Sequence, residues 1–292
     1  PAAAETIGAA CVARRYDIAD IGRQTTLAGN PAIPLVKALT AEVAKTHPEA
    51  ARYVHWGATS QDIIDSGRSL QVAAAIGLQR ERIARIAAAL AELAERHRAS
   101  VMPGRTFLQQ AVPISFGLKA ARWLGGICDS QLALQPYEQS RLQFGGAAGT
   151  LASLGTEGFD VAAEMARNGP FAGSDLLAGH TDRGAVGRLG AELAVTTTML
   201  GKIARDLALM MQTEVGAAFE PSAPGKGGSS TMPHKRNPVL CTAILACATR
   251  APGLAATLIA AGLQEHERAV GGWHAEWEPL FELLRLTGAA LH

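Results

Sequence analysis

The chain has 292 residues, with 27 basic and 26 acidic side chains, a formal net charge of +1 and 5% aromatic residues. This balance gives no reason to expect a nucleic-acid or membrane-surface partner, and no apolar run approaches the length of a membrane span, about 20 residues. The many alanines and leucines and the few aromatics favour helices over sheets.

Four cysteines, Cys11, Cys128, Cys241 and Cys247, show no metal-ligand spacing. We interpret them as buried small hydrophobic residues in a reducing compartment. Since the start of the chain also lacks a signal-peptide pattern, we expect a cytoplasmic protein with no metal site.

Residues 1–57 are predicted to form short helices that prolines interrupt. The segment 28–34 predicts a turn between two helices, and Pro34 suits a helix start. The chain begins at Pro1 without a methionine. We therefore expect residues 1–57 to be a partial N-terminal helical domain whose start is missing.

The next segment predicts the start of a long helix. Thr59 and Asp62 have the spacing of a capping box, and apolar residues then recur at intervals of three, four and seven, which indicates one amphipathic helix. The apolar residues of this seam are Ile76, Ile83, Ile86, Leu90 and Leu93. By physics alone, Thr59, Ser60 and Asp62 only cap this helix.

The remaining segments complete an all-α bundle of long helices over residues 58–292. Residues 102–117 are interpreted as a connector, and residues 143–180 as an irregular glycine-rich region without the residues of a phosphate loop. Further helices are predicted over 118–134, 186–216 and 239–263, the last with a kink at Pro252.

The most informative stretch is residues 225–238, which combine glycines, the hydroxyl pair Ser229 and Ser230, and the cations Lys235 and Arg236. Pro238 suits the first turn of the helix that follows, and a helix start favours negative charge. We therefore expect a flexible loop that closes over an anionic ligand while a serine does chemistry. The alternative is a solvated basic surface loop.

This stretch also resembles the signature loop of the fumarase/aspartase superfamily. The motif is Gly-Ser-Ser-x-Met-Pro-x-Lys-x-Asn-Pro, beginning at Gly228. The resemblance implies that Ser229 is the catalytic acid or base. It also implies that Lys235 and Asn237 bind a substrate carboxylate, with Lys235 counted among the catalytic residues, and that Ser230 contacts the substrate.

Two earlier segments resemble the other signatures of that superfamily. His55, Thr59 and Ser60 fall in a His-x-Gly-x-Thr-Ser-x-Asp motif, which implies that His55 reaches the substrate and that the two hydroxyls hold a carboxylate. The connector resembles the second signature and offers Thr106 and Gln110 as substrate contacts. It departs from many members of the superfamily because Phe107 stands where they have a histidine.

Phe107 narrows the expected reaction, since phenylalanine transfers no proton. An amine or hydroxide leaving group usually needs a general acid, whereas a carboxylate that attacks a double bond of its own molecule needs none. Within the superfamily this chemistry belongs to the 3-carboxy-cis,cis-muconate cycloisomerase branch of aromatic, protocatechuate-type catabolism, which residues 267–278 also resemble. In that branch His180 and Arg183 are implied substrate contacts. Gly179 replaces an expected tryptophan, which indicates an altered substrate such as a sulfo-substituted muconate.

The resemblance further implies a homotetramer with shared central helices, in which three chains contribute to each active site. It implies a polycarboxylate substrate, no cofactor, and a small helical C-terminal domain beyond residue 292. Two alternatives remain. One is a C–N lyase of the adenylosuccinate or argininosuccinate lyase type, which Phe107 disfavours, and the other is a non-catalytic helical-bundle protein, which the complete serine loop disfavours.

Overall fold

The computed structural model describes residues 2–221, 227–228, 231–232 and 235–292. The described chain is mainly helical, which confirms the predicted fold class. Among these residues there are eleven α-helices: α1 (Ala2–Ala10), α2 (Ile18–Ala28), α3 (Ala32–Ala44), α4 (Pro48–Ala51), α5 (Ser60–Arg96), α6 (Phe116–Leu134), α7 (Gly158–Asn168), α8 (Gly184–Met210), α9 (Val239–Ala260), α10 (Gly272–Ala275) and α11 (Trp277–Ala290).

The chain groups into two compact units. The first consists of Pro1–Val72, Gln139–Asp182 and His266–Arg268, and the second of Ala73–Glu138, Arg183–Glu265 and Ala269–His292. Helix α5 begins in the first unit and continues into the second. The division between residues 57 and 58 that the sequence predicts stays a prediction.

The first unit holds the short N-terminal helices and the glycine-rich region. Gly29, at φ +78°, ends α2, and the Asn30 side chain accepts a hydrogen bond from the Ala32 backbone N–H at the start of α3. The turn between these helices is therefore shorter than predicted, and Pro34 lies inside the first turn of α3. A small apolar core joins Ala10, Val43, Ala50 and Ala51.

The second unit is a bundle of long helices. In it α8 packs against α6, α9 and α11, and α9 packs against α11. The approach of α8 to α9 is close, because a Cβ built on Gly201 would lie 2.5 Å from the Ala248 Cβ. Ile76, Ile83 and Ile127 are fully buried.

The connector at 102–117 is more ordered than predicted, because most of it forms an antiparallel hairpin. Strand β1 (Val101–Thr106) pairs with β2 (Gln109–Ser115). The two turn residues, Phe107 and Leu108, have φ values of +49° and +63°, which side chains with a Cβ rarely adopt. A second, two-residue parallel pair joins β3 (Arg141–Leu142) to β4 (Gly173–Ser174) in the first unit.

Helix α9 corrects the expectation that no apolar run approaches the length of a membrane span. It is 22 residues long with a mean hydropathy of 1.6 in its most apolar window, so by length and composition alone it passes the test for a membrane span. Only 17% of that window is buried, which leaves an exposed apolar surface on a helix that packs against α8 and α11.

The cysteines differ from the expectation that all four are buried. They are free, but only Cys241 is fully buried, whereas Cys11 and Cys128 are exposed.

Candidate active site

The start of α5 has the predicted cap. The Asp62 carboxylate accepts a hydrogen bond from the Thr59 backbone N–H over 2.9 Å, which is the return half of a capping box. The helix begins at Ser60, so the Thr59 and Ser60 hydroxyls lie at a helix N-terminus, where negative charge is stabilised. This much of the site follows from local spacing.

Asp62 does more than cap the helix. Its Oδ1 accepts from the Gly145 N–H and lies 2.7 Å from the His180 Nε2, and its Oδ2 accepts from the Gly146 N–H. The residue is only 1% exposed. A buried carboxylate needs such partners, and these bonds tie the glycine-rich region and His180 to the start of α5.

This arrangement gives His180 a structural role, and the predicted substrate contact of His180 stays a prediction. His180 is 2% exposed, its Nε2 faces Asp62, and its backbone carbonyl accepts from the Gln61 side chain. The Nε2 and the backbone carbonyl of His180 are therefore held inside the first unit, whereas its Nδ1 is buried without a hydrogen-bond partner among the described residues.

His55 precedes this cap in an unusual backbone conformation, with φ at +64°. Such left-handed conformations cost free energy in residues other than glycine and cluster at functional sites. Partial burial lowers the pKa of His55, and the nearby Asp62 carboxylate opposes that shift. Its Nδ1 is buried without a hydrogen-bond partner among the described residues, so a neutral ring has an unused nitrogen here.

Arg268 lies beside the predicted site residue Thr59, and sequence analysis proposed no role for Arg268. Its Nη1 donates to the Thr59 hydroxyl over 2.7 Å. The segment that carries it is held within the same unit by the Thr181 hydroxyl, which donates to the His266 carbonyl. A guanidinium therefore lies beside the hydroxyl that the sequence assigns to a substrate carboxylate.

In the second unit, Thr106 and Gln110 lie on the hairpin and are exposed. Phe107 is 100% exposed at the hairpin tip, and Leu108 is 72% exposed beside it. The strained turn therefore presents two apolar side chains outward, away from any core of the unit.

The signature loop is described only in part. Ser229 and Ser230, the predicted acid or base and its neighbour, lie outside the described residues. Lys235 and Asn237 line a cavity of about 730 Å³ beside the end of α8. The cavity is also lined by Gln212, Thr213 and Arg236. Lys235 is exposed, as a residue that binds a ligand anion requires.

The sequence predicts that the N-terminus of α9 binds a ligand anion, and the structure differs from this prediction. Both oxygens of the Glu220 carboxylate accept hydrogen bonds there, from the Leu240 N–H over 3.2 Å and the Cys241 N–H over 2.8 Å. The helix also begins at Val239, with Pro238 as its N-cap rather than in its first turn. An internal carboxylate thus occupies the position predicted for a ligand.

Arg183 also has an internal partner. Its Nε and Nη2 donate to the two carboxylate oxygens of Glu276 over 2.8 and 2.6 Å, and the Gln264 side chain donates to the same carboxylate. The side chains of Arg183 and Glu276 are 3% and 0% exposed. This buried bidentate pair favours a structural role over the predicted substrate contact.

Comparison with known proteins shows the family. Residues 14–253 match the family Lyase_1, described as lyase. The chain belongs to this lyase family. The resemblance to the fumarase/aspartase superfamily is thereby confirmed, and a solved fumarate lyase from Mesorhizobium is similar in fold, with a TM-score of 0.85 at 38% identity over 99% of this chain and 64% of that one.

Several lyase-family members are similar over nearly the whole chain. The 3-carboxy-cis,cis-muconate cycloisomerase of Bradyrhizobium diazoefficiens is 50% identical over 99% of this chain and 64% of its own length. The crystal structure of 3-carboxy-cis,cis-muconate lactonizing enzyme from Pseudomonas putida has a TM-score of 0.94 at 46% identity, covering 99% of this chain and 65% of that one. The chain thus spans about two thirds of the length of these relatives.

Proposed function

We propose that the protein to which this chain belongs is a cycloisomerase that closes 3-carboxy-cis,cis-muconate, or a close analogue, to its muconolactone. The observation on which this proposal depends is Phe107, an exposed phenylalanine at the hairpin tip where many members of the superfamily have a histidine acid. The similarity to a 3-carboxy-cis,cis-muconate cycloisomerase over 99% of the chain supports this proposal. The place in metabolism is protocatechuate-type aromatic catabolism, in the cytoplasm.

The substrate is a polycarboxylate, and we assign its binding to charged and hydroxyl groups of the signature segments and of Arg268. Thr59 and Ser60, with Arg268 beside Thr59, bind one carboxylate at the N-terminus of α5. Lys235 and Asn237 bind another, and Ser230, Thr106 and Gln110 complete the contacts. His180 and Arg183 support this site from inside the fold through their pairs with Asp62 and Glu276.

Ring closure needs one proton transfer to carbon. A carboxylate oxygen of the substrate attacks a carbon of its own diene, the C–O bond forms, and the displaced electron pair moves into an adjoining carboxylate as an enolate-like anion. Cations and amides that face the developing charge lower the barrier. Ser229 then donates a proton to the carbon and regains a proton from solvent, and the reaction is an isomerisation with no leaving group.

His55 is assigned to orienting the substrate. Since burial lowers the pKa of its ring, the neutral imidazole is favoured near neutral pH and can accept a hydrogen bond. No organic cofactor or metal takes part in the proposed mechanism.

The proposed assembly is a homotetramer in which three chains contribute to each active site. The exposed apolar surface of α9 supports this, because only 17% of its most apolar window is buried within one chain. Other copies of the chain would cover that surface, as in helix bundles whose central helices pack against neighbouring subunits.

A second candidate is a lyase that releases a nitrogen group. The nitrosuccinate lyase of Streptomyces davaonensis is 43% identical over 99% of this chain and 63% of its own length. A protein of similar sequence is therefore named for a different activity. Phe107 disfavours release of an amine, which needs a proton from a general acid. Nitrite leaves as a stable anion, so Phe107 does not separate a nitrosuccinate lyase from the cycloisomerase.

The deciding experiment incubates the intact protein separately with 3-carboxy-cis,cis-muconate, a sulfo-substituted muconate, nitrosuccinate and adenylosuccinate. We expect loss of the diene absorbance and formation of a lactone from a muconate. The Ser229→Ala variant should lose about 100-fold to 10,000-fold of that activity. Turnover of nitrosuccinate or adenylosuccinate without turnover of either muconate would exclude the cycloisomerase.

A further inference from the structure

Glu220 lies at the base of the signature loop and has no role in the mechanism described so far. It precedes the loop, on the segment that leads away from the end of α8. Its carboxylate accepts from the Leu240 and Cys241 N–H groups, which belong to the first turn of α9. The chain before the loop is thus bonded to the helix after it.

A second pair of contacts reinforces the same junction. The Arg236 guanidinium donates to the Glu220 backbone carbonyl over 3.3 Å and lies 4.5 Å from the centre of the Phe219 ring. Both ends of the loop are therefore joined through Glu220, by its side chain to α9 and by its backbone to Arg236.

Asn237 lies between these anchored points. Its backbone N–H donates to the Gly227 carbonyl over 3.0 Å. Gly227 has φ at +67°, and a Cβ there would lie 2.7 Å from the Asn237 carbonyl oxygen, so the close approach requires glycine. The backbone positions of Asn237 and of the nearby Lys235 thus depend on where α9 begins.

We propose that Glu220 is a positioning residue that holds the start of α9 and, through it, the carboxylate-binding side chains of Lys235 and Asn237. Pro238, the N-cap, offers no side-chain acceptor for the first amides of the helix. Glu220 supplies one from outside the helix, and its negative charge is favourable at that end of the helix dipole. This inference rests on the proposed roles of Lys235 and Asn237 in substrate binding.

The test replaces Glu220 with alanine and with glutamine in the intact protein, and follows ring closure of 3-carboxy-cis,cis-muconate. Since a bound carboxylate is held in both ground and transition states, we expect Glu220→Ala to raise KM about tenfold and to leave kcat within about twofold. Glu220→Gln, which keeps one acceptor oxygen, should fall between this variant and the wild type. Glu214→Gln, an exposed glutamate on the same segment, is the matched control and should behave as wild type.

Chemical rescue separates positioning from general damage. Acetate should enter the space left in Glu220→Ala and accept hydrogen bonds from the Leu240 and Cys241 amides. It should thereby reverse most of the increase in KM. Chloride at the same ionic strength should not, and acetate should not improve the wild type. An increase in KM that acetate leaves uncorrected would count against the proposal.

Amide hydrogen exchange tests the same idea without activity. In Glu220→Ala, exchange at Leu240, Cys241 and Asn237 should accelerate at least tenfold, and acetate should slow it again. If only Leu240 and Cys241 accelerate, Glu220 is a local cap and the positioning role is wrong. If the wild type does not close a muconate but all three amides respond, the proposed function fails while the positioning role stands.

Discussion

The Arg268 guanidinium donates a hydrogen bond to the Thr59 hydroxyl over 2.7 Å, although 209 residues separate the two in the chain. The hydroxyl belongs to the cap of α5, and the guanidinium comes from the short segment His266–Arg268 of the same unit. A cation and a helix N-terminus therefore meet at the hydroxyl that we assign to a substrate carboxylate.

Replacing Arg268 with alanine should lower kcat/KM for muconate ring closure by about 10-fold to 100-fold, the range expected when a charged hydrogen bond is lost. Arg268→Lys should recover part of the loss, because it keeps the charge but not the planar donor fork. Arg167→Ala, on the exposed side of α7, is the control. Steady-state kinetics decide the question, and a change of less than twofold in Arg268→Ala would remove this residue from the site.

Asp62→Asn should destabilise the first unit. The amide keeps one acceptor oxygen where the carboxylate serves the His180 ring and three backbone amides, so we expect a loss of about 2–4 kcal/mol in the free energy of unfolding. Urea denaturation measures it. The exposed Asp160→Asn on α7 should change stability by less than about 0.5 kcal/mol. Equal stability of the two variants would contradict the central position of Asp62.

His55 should titrate below the ordinary histidine value of about 6.5, because burial lowers its pKa. As pH falls below 6.5, the unfolded chain gains a proton that folded His55 resists, so stability is complete above that pH and declines as pH falls through the folded pKa. Imidazole NMR signals, assigned by their absence in His55→Gln, report the midpoint. The free energy of unfolding of that variant should also fall less at acid pH than that of the wild type. A midpoint at or above 6.5 for His55 would contradict the prediction.

The Arg183–Glu276 pair should behave as a buried structural ion pair. Glu276→Gln should cost about 3–5 kcal/mol of unfolding free energy, since it leaves a buried guanidinium without its counter-charge. The double variant Arg183→Met with Glu276→Leu should be less destabilised than the sum of the two single changes. The exposed Glu278→Gln on α11 is the control, and thermal or urea unfolding provides the measurements.

The same variants test whether Arg183 touches the substrate. If the guanidinium acts only inside the fold, the folded double variant should keep KM within about threefold of wild type at a permissive temperature. A KM increase above tenfold in a variant that remains folded would restore Arg183 to the list of substrate contacts.

Much of the fold was predictable from local pattern. The apolar period of α5, with Ile76 and Ile83 fully buried, and the Thr59–Asp62 spacing at its start depend on neighbours three to seven residues away, which a sequence displays directly. The hairpin at 101–115 was missed because its turn, Phe107 and Leu108, lacks the glycine or asparagine that usually signals positive φ.

The sequence by itself determined the helical class, the family and the identity of the loop residues Lys235 and Asn237, since these follow from periodicity and a long contiguous motif. Only the tertiary structure decided the partners of the charged groups: Arg268 for Thr59, Glu220 for the start of α9, and Glu276 for Arg183. These pairings join residues 20 or more positions apart along the chain. No local period encodes them, because a buried or capping charge is satisfied by whichever group the fold brings within hydrogen-bonding distance.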